Sequence, residues 1–321
     1  MVDDRSSDNS AAIAEAAGAV VLHARGGRGP AAARNLGAAH ASGDLLVFVD
    51  ADVCVRPDTI DRIRLRFERD ARLDALIGSY DDEPAGDGFV SQYKNLLHHF
   101  VHQHGRAEAA TFWAACGAIR REVFAEAGGF DESYTRPCIE DIELGYRLRQ
   151  RGRRIVLDSS IQVKHLKPYR LAVLLRTDIF DRALPWTRLI LFSGRLPDDL
   201  NLKLEQRISA ALVLGAAALA PACVFAGWRP AWAGVPLLGA VALNRSFFRF
   251  LARKRGWAFA AGAAPLQWAY YLYSTLAFAA GAALETLDWR DRRPIPNEIP
   301  LVVPATVPRR DAQGRGAALP G

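Results

Sequence analysis

Short apolar runs alternate with amphipathic stretches through the first 165 residues. The clearest run, Leu45 to Val49, consists of Leu, Val and Phe only, which predicts a buried central strand. Helical spacing follows in Asp58 to Asp70, and a further apolar run in Leu73 to Tyr80. Because strand and helix patterns alternate, we predict an α/β fold with a doubly wound, mostly parallel sheet.

Two carboxylates, Asp50 and Asp52, follow the Leu45 to Val49 run directly. Open α/β sheets bind ligands at the carboxyl ends of their strands. Acidic groups one residue apart repel each other unless a cation lies between them, which favours a divalent metal with oxygen ligands. The alternative is an ordinary turn, since Asp often ends strands.

The pattern changes near residue 200, where charges become sparse. Ile208 to Trp228 is an uncharged run of 21 residues, long enough to span a bilayer. Pro230 to Asn244 and Trp257 to Leu284 are two further candidates. We therefore divide the chain into a catalytic domain (1–200), transmembrane or interfacial helices (201–290) and a Pro-rich, disordered tail (291–321).

The formal net charge of +6 comes almost wholly from arginine, because five of the 41 basic residues are lysines. No basic stripe with interleaved aromatic residues accompanies this charge, so we do not predict a nucleic-acid partner. Basic residues between Arg245 and Arg255 adjoin apolar segments and fit anionic lipid headgroups. The four cysteines lack the spacing of a zinc ribbon or a disulfide framework, which indicates reduced thiols facing the cytosol.

His98 and His102 lie at helical spacing in a segment rich in aromatic residues and histidine. They raise the question of a second metal site, but no carboxylate accompanies them at that spacing. A helix packed near the acceptor site or the membrane is the interpretation we prefer.

A further acidic pair, Glu140-Asp141, begins a predicted helix, and Asp3-Asp4 follows the first apolar residues of the chain. Their order resembles that of the family 2 glycosyltransferases with a GT-A fold. The motifs that carry the resemblance span about residues 2–165: Val2-Asp3-Asp4-x-Ser6-x-Asp8, Arg34-Asn35-x-Gly37, Asp50-Ala51-Asp52, Gly128-Gly129-Phe130-Asp131 and Glu140-Asp141-x-x-Leu144-x-x-Arg147-Leu148-x-x-x-Gly152.

The resemblance implies a binding site for a UDP- or GDP-sugar donor. Asp3, Asp4 and Arg34 would contact the nucleotide or its phosphates. Asp52 would hold Mg²⁺ or Mn²⁺, with Asp50 near the ribose or a metal-bound water. His165 resembles the late histidine that completes the metal site in some GT-A enzymes.

The remaining acidic pair would carry the catalysis. The resemblance implies that Asp141 is the general base and that Glu140 orients the acceptor, in one displacement that inverts the anomeric centre. We thus expect a metal-dependent inverting glycosyltransferase acting on a lipid-linked or polyprenyl-phosphate acceptor. It would be anchored in a bacterial-type inner membrane with its catalytic domain in the cytoplasm. A non-catalytic membrane protein derived from this fold and a nucleotidyltransferase remain the alternatives.

One departure from the family pattern concerns the start of the chain. Such enzymes have an apolar strand and a nucleotide-binding loop before the Val-Asp-Asp motif, whereas Met1 directly precedes Val2 here. We therefore expect a sheet without its first strand, and an incomplete pocket for the nucleotide base.

Overall fold

The computed structural model describes residues 1–24, 26–194, 196–227, 229 and 231–287. The strands are β1 (Val2–Asp3), β2 (Leu22–His23), β3 (Leu45–Val49), β4 (Val53–Cys54), β5 (Ala75–Tyr80), β6 (Cys116–Arg120) and β7 (Ile155–His165). The helices that accompany them are α1 (Ser10–Ala16), α2 (Pro30–His40), α3 (Thr59–Arg69), α4 (Phe89–Gln103), α5 (Arg121–Ala127) and α6 (Glu140–Gln150). The tail, 291–321, lies outside the described residues.

Helices also make up the rest of the described chain. They are α7 (Leu171–Arg176), a π-helix (Thr177–Ala183), α8 (Leu184–Ser193), a 3₁₀ turn (Leu200–Leu202), α9 (Leu204–Phe225), α10 (Ala231–Leu243), α11 (Arg245–Arg255) and α12 (Trp257–Leu287). The α/β class is confirmed.

The strands form a five-stranded sheet in the order β3-β6-β5-β7-β4, beside a separate pair of β1 and β2. The expected mostly parallel pairing is wrong for the larger sheet, because only β5 and β7 run parallel in it. After β5, helix α4 and the loop at 104–115 return the chain so that β6 enters the sheet in the opposite direction. β6 then separates β3 from β5.

Strand β3 lies at the edge of this sheet, not at its centre as expected. Leu46 and Phe48 are buried on one face, while Val49 is 42% exposed. The strand is apolar throughout because its other face also packs, with Leu45 and Val47 against a second cluster around Phe67 and Leu76. Phe48 contacts three other phenylalanine rings in the core beneath α5 and α6.

One described helix, α9, is long and apolar enough to cross a membrane by itself, which is weak evidence for a span. Helices α10 and α11 meet that criterion only together, and they are bent by 73° at Asn244. The third candidate forms α12, a helix of 31 residues with Pro265 inside it.

Helix α4 connects the sheet to the C-terminal helices. Its residues Tyr93 and Leu96 pack with Phe247 and Leu251 of α11 in one buried cluster. Both Asp178 oxygens accept from Lys94 Nζ, at 3.0 and 2.8 Å. Because a paired buried charge is costly to separate, these contacts fix α4 and the π-helix together.

Gly145 of α6 should be irreplaceable. A Cβ there would lie 2.1 Å from the Phe112 backbone nitrogen, and backbone cannot move aside as a flexible side chain can. We expect Gly145→Ala to destabilise the protein by about 2–3 kcal/mol, measured as the denaturation midpoint of the full chain in detergent. Gly215→Ala is the control, since nothing lies within 4 Å of that Cβ. Equal midpoints for the two variants would contradict the packing described here.

Candidate active site

The acidic turn after β3 is held beside the end of β7. Asp50 accepts a backbone hydrogen bond from Val53, which starts β4. β4 pairs with β7 so that Val53 lies opposite His165. This two-residue pairing, which the sequence pattern did not predict, places the Asp52 carboxylate 3.5 Å from His165 Nε2.

The orientation of the His165 ring is fixed from behind by Asn95 of α4. The Asn95 amide nitrogen donates to the Ser91 carbonyl, so its oxygen faces His165 Nδ1 at 2.5 Å. Nδ1 therefore donates to Asn95, and Nε2 is the ring nitrogen that faces Asp52. The hydrogen bond from His165 is the main cause that lowers the pKa of Asp52.

Asp52 and His165 are side chains of the kind that bind a divalent cation. A histidine whose far nitrogen donates to an oxygen, next to an ionised carboxylate, is a common arrangement of metal ligands. Within the ranges that the structure describes, no group of three or more His, Cys, Asp or Glu side chains is placed to hold a metal. Asp52 and His165 therefore stay a predicted pair of metal ligands.

Arg34 of α2 joins the acidic turn to the start of α6. Its Nη2 donates to Asp50 Oδ1 and its Nη1 to Glu140 Oε1, both at 2.7 Å. The guanidinium also lies over the Phe130 ring, 5.4 Å from the ring centre. Burial acts to lower the pKa of Arg34. The negative charges of Asp50 and Asp141 have the larger effect, so the pKa of Arg34 is raised.

Asp141 is half-buried beside this network and is not one of the two carboxylates that Arg34 binds. Its Oδ2 accepts from the Ala114 backbone N–H at 3.2 Å, and its Oδ1 from that of Ile142 at 2.8 Å. Burial, and then the charge of Glu140, raise the pKa of Asp141 to about 6. A carboxylate with this pKa is ionised at neutral pH yet able to accept a proton.

Glu140 has less freedom than its neighbour. Its second oxygen, Oε2, accepts from the Cys138 backbone N–H at 2.9 Å. Both oxygens are thus engaged within the protein, and the side chain is only 4% exposed. The acceptor-orienting role predicted for Glu140 stays a prediction.

The N-terminal acids, Asp3 and Asp4, lie at the end of β1. Asp3 accepts from the Ser6 backbone N–H at 3.0 Å, and the hydrogen bonds from Ser6 lower the pKa of Asp3. Asp4 accepts from the Gly29 N–H at 3.1 Å, and its other oxygen is buried without a hydrogen-bond partner. Asp4, Arg34 and Asp50 line one cleft of about 1250 Å³ beside the outer edge of β3.

Other residues of the sequence motifs hold the loop before α6. Asn35 donates to the Phe130 carbonyl at 2.8 Å and accepts from its N–H at 2.9 Å. Arg147 donates to the Gly129 carbonyl at 2.7 Å and to Glu143. These side chains position the site without facing it.

Two groups that help to build the site were missed at the sequence level. Asn95 orients His165, and the Ala114 N–H holds Asp141. Neither has a sequence signal, because one is an ordinary polar residue within a helix and the other is a backbone group. His98 and His102 stack on Tyr80, with ring centres 5.8 and 6.4 Å away, which agrees with a packing role.

Comparisons with known proteins concern the sequence of the first 128 residues and the fold of the chain. Residues 1–128 match the family model described as glycosyl transferase family 2. Over these residues, the chain is similar to family 2 glycosyltransferases. The fold is also that of GT-A enzymes: the mannosyltransferase PcManGT from Pyrobaculum calidifontis, solved with GDP-Man and Mn²⁺, matches with a TM-score of 0.54 at 20% identity. That match covers 82% of this chain and 76% of the mannosyltransferase.

Two curated relatives match part of this chain. The O-antigen biosynthesis protein RfbC of Myxococcus xanthus is 30% identical over an alignment of 152 residues. The match covers 42% of this chain and 12% of RfbC. The pre-mycofactocin glycosyltransferase of Mycobacterium tuberculosis is 30% identical over 153 residues, covering 45% of this chain and 32% of that protein. The chain thus aligns with a third or less of each relative's length.

Asp141→Asn should make the folded protein more stable at pH 8. Because the folded pKa of about 6 lies above the ordinary 3.8, ionised Asp141 opposes folding as pH rises through this range. We expect Asn to raise the free energy of unfolding by up to about 3 kcal/mol at pH 8. The gain should shrink as pH falls towards 4, and a gain that is the same at both pH values would contradict this account.

Proposed function

We propose that this protein is a metal-dependent, inverting glycosyltransferase that uses a UDP- or GDP-sugar. The observation that carries the proposal is that a candidate ligand pair, Asp52 and His165, and a half-buried candidate base, Asp141, flank one ion-pair network. Arg34 connects the two parts through Asp50 and Glu140. The family match and the GT-A fold support the same reaction class.

The donor would bind across the cleft between the β1–β2 pair and the end of β3. Asp3 and Asp4 would contact the nucleotide, and Asp50 would lie near the ribose or a metal-bound water. Asp52 and His165 would hold Mg²⁺ or Mn²⁺. When bound, the cation neutralises negative charge on the leaving nucleoside diphosphate.

The transfer itself would use Asp141 as general base. Its carboxylate takes the proton of the attacking acceptor group while the bond from the anomeric carbon to the diphosphate breaks. Attack from the face opposite the leaving group inverts the configuration. Glu140, buried and held by Arg34, would keep α6 in register and orient the acceptor.

The acceptor would be a lipid-linked molecule or a polyprenyl phosphate. Helix α9 supports membrane anchoring, and α11 has a buried face of Phe247, Phe248 and Leu251. Arg249 and Arg253 are exposed on its other face, where anionic headgroups would bind them. We place the protein in a bacterial-type inner membrane, with the catalytic domain in the cytoplasm.

Transfer from UDP- and GDP-sugars to lipid extracts in membranes, with Mn²⁺ present, tests the proposed reaction. We expect Asp141→Asn to lower kcat by at least about a hundredfold, because general-base catalysis contributes that much. In the unmodified protein, kcat/KM should fall tenfold per pH unit below about pH 6, where Asp141 becomes protonated. Asp61→Asn, with a side chain 72% exposed on α3, is the control. No transfer with any donor would favour the non-catalytic alternative.

Metal affinity should depend on Asn95 even though it is not a ligand in this proposal. Asn95→Leu removes the oxygen that fixes the His165 tautomer, so we expect Mn²⁺ binding to weaken about 10- to 100-fold. Electron paramagnetic resonance of free Mn²⁺ measures this without turnover. Asn9→Leu is the control, since Asn9 is exposed before α1 and its side chain makes no capping hydrogen bond. Unchanged affinity in Asn95→Leu would remove His165 from the metal site.

A further inference from the structure

Helices α9 and α10 form an antiparallel hairpin of almost uncharged sequence. Val213 of α9 packs with Ala240 of α10 in one buried cluster. Nearer the point where the chain reverses, the Cys223 thiol donates to the Arg229 carbonyl at 3.5 Å. Arg229 is the single charged residue at 208–244, so the hairpin is apolar over nearly its whole length.

The far part of this hairpin carries large apolar side chains that the protein does not cover. Phe225 is 88% exposed at the end of α9, and Leu238 is 68% exposed on α10. Only 22% of the most apolar window of α9 is buried, whereas the core helix of a soluble protein is mostly buried. A helix that is apolar on all sides needs either a protein core or a membrane around it. Because the described chain supplies no such core here, the interior of a lipid bilayer fits this hairpin.

A buried polar network closes the other end of the hairpin. Asn244, where the chain bends by 73° from α10 into α11, donates to Ser209 Oγ at 2.9 Å. The Asn244 oxygen accepts from Gln206 Nε2 at 3.2 Å, and Gln206 accepts from Tyr271 of α12 at 2.7 Å. Arg245, the next residue along the chain, is exposed. Amide groups and an exposed basic side chain fit the level of the lipid headgroups, so the hydrocarbon begins beyond this network.

Helix α12, by contrast, follows the catalytic domain from its first turn. The Phe259 ring lies 4.7 Å from that of Phe89, the first residue of α4. Further along α12, Gln267 accepts from Tyr93 of the same helix at 2.7 Å. The two contacts occur in the same order on both helices, so the first part of α12 runs along α4.

The last turns of α12 also reach the catalytic domain. Glu285 pairs with Arg188 of α8 at 3.3 Å. Helix α8 is held against α6, because Trp186 donates to the Tyr146 hydroxyl at 3.1 Å. A helix of 31 residues is about 45 Å long, which exceeds the hydrocarbon core of about 30 Å. If α12 crossed the bilayer, its two ends could not both contact the domain that carries α4 and α6.

We propose that α9 and α10 enter the lipid bilayer as a hairpin and that α12 stays on the catalytic side of the membrane. The hydrocarbon interior covers the apolar surface around Phe225 and Leu238. Anionic headgroups bind Arg245 and Arg249, which are exposed on α11. The chain thus enters and leaves the bilayer from one side, and the end of α12 faces the same compartment as Asp141. The inference rests on the membrane attachment in the proposed function, but not on sugar transfer.

Cysteine labelling of the full chain, in spheroplasts and in inverted membrane vesicles of expressing cells, tests this topology. Cys54, exposed on β4 and kept as the only cysteine, marks the catalytic side. Three further variants have all four native cysteines replaced by alanine and carry one new cysteine at an exposed position: Ala258→Cys, Thr286→Cys or Leu238→Cys. We expect a membrane-impermeant maleimide to label both α12 variants in the preparation that labels Cys54. Leu238→Cys should stay unlabelled in both preparations and react only in detergent, because the thiolate that attacks maleimide does not form in hydrocarbon.

Labelling of Thr286→Cys only in the other preparation, or in neither, would overturn the proposal, because α12 would then cross the bilayer or lie within it. Labelling of Leu238→Cys alongside Cys54 would overturn it as well, since the hairpin would then lie in water. An unlabelled Leu238→Cys in a protein that a high-pH carbonate wash releases from the membrane would mean that a second copy covers the hairpin, which also contradicts the proposal. A protein with the expected labelling that transfers no sugar contradicts the proposed function alone.

Discussion

The double ion pair of Arg34 is the interaction on which the site depends. One guanidinium from α2 holds Asp50, after β3, and Glu140, at the start of α6, each at 2.7 Å. These two carboxylates come from elements about 90 residues apart in sequence, and each would repel the other without the cation between them. Arg34 therefore sets the position of α6 relative to the acidic turn.

The ion pairs of Arg34 distinguish Asp50 and Glu140 from the other two acids of the site, Asp52 and Asp141. Asp50 and Glu140 are neutralised by Arg34, so their charges serve the architecture. Asp52 lies beside His165, and Asp141 receives only backbone hydrogen bonds, so both keep charge that a ligand or a proton can use. Burial and the charge of Glu140 outweigh the charge of Arg34 and raise the pKa of Asp141 to about 6, whereas a direct salt bridge would lower it.

The C-terminal helices are connected to this site through α4. That helix supplies Asn95 behind His165, and two residues earlier along its chain Tyr93 donates to Gln267 of α12 at 2.7 Å. Between them, Lys94 pairs with Asp178 of the π-helix. The three contacts are made by adjacent residues of α4. A displacement of α12 would therefore be transmitted to Asn95, which orients the proposed metal ligand His165.

Sequence by itself determined the α/β class, the acidic turn after Leu45–Val49 and the acidic start of α6, because local periodicity and motif order are properties of the chain alone. It did not determine strand direction or the edge position of β3, which depend on how α4 returns the chain to β6. Nor did it separate structural from reactive acids. That division depends on which carboxylates Arg34 pairs with and which one accepts hydrogen bonds from backbone N–H groups alone. Only contacts between segments distant in sequence decide it.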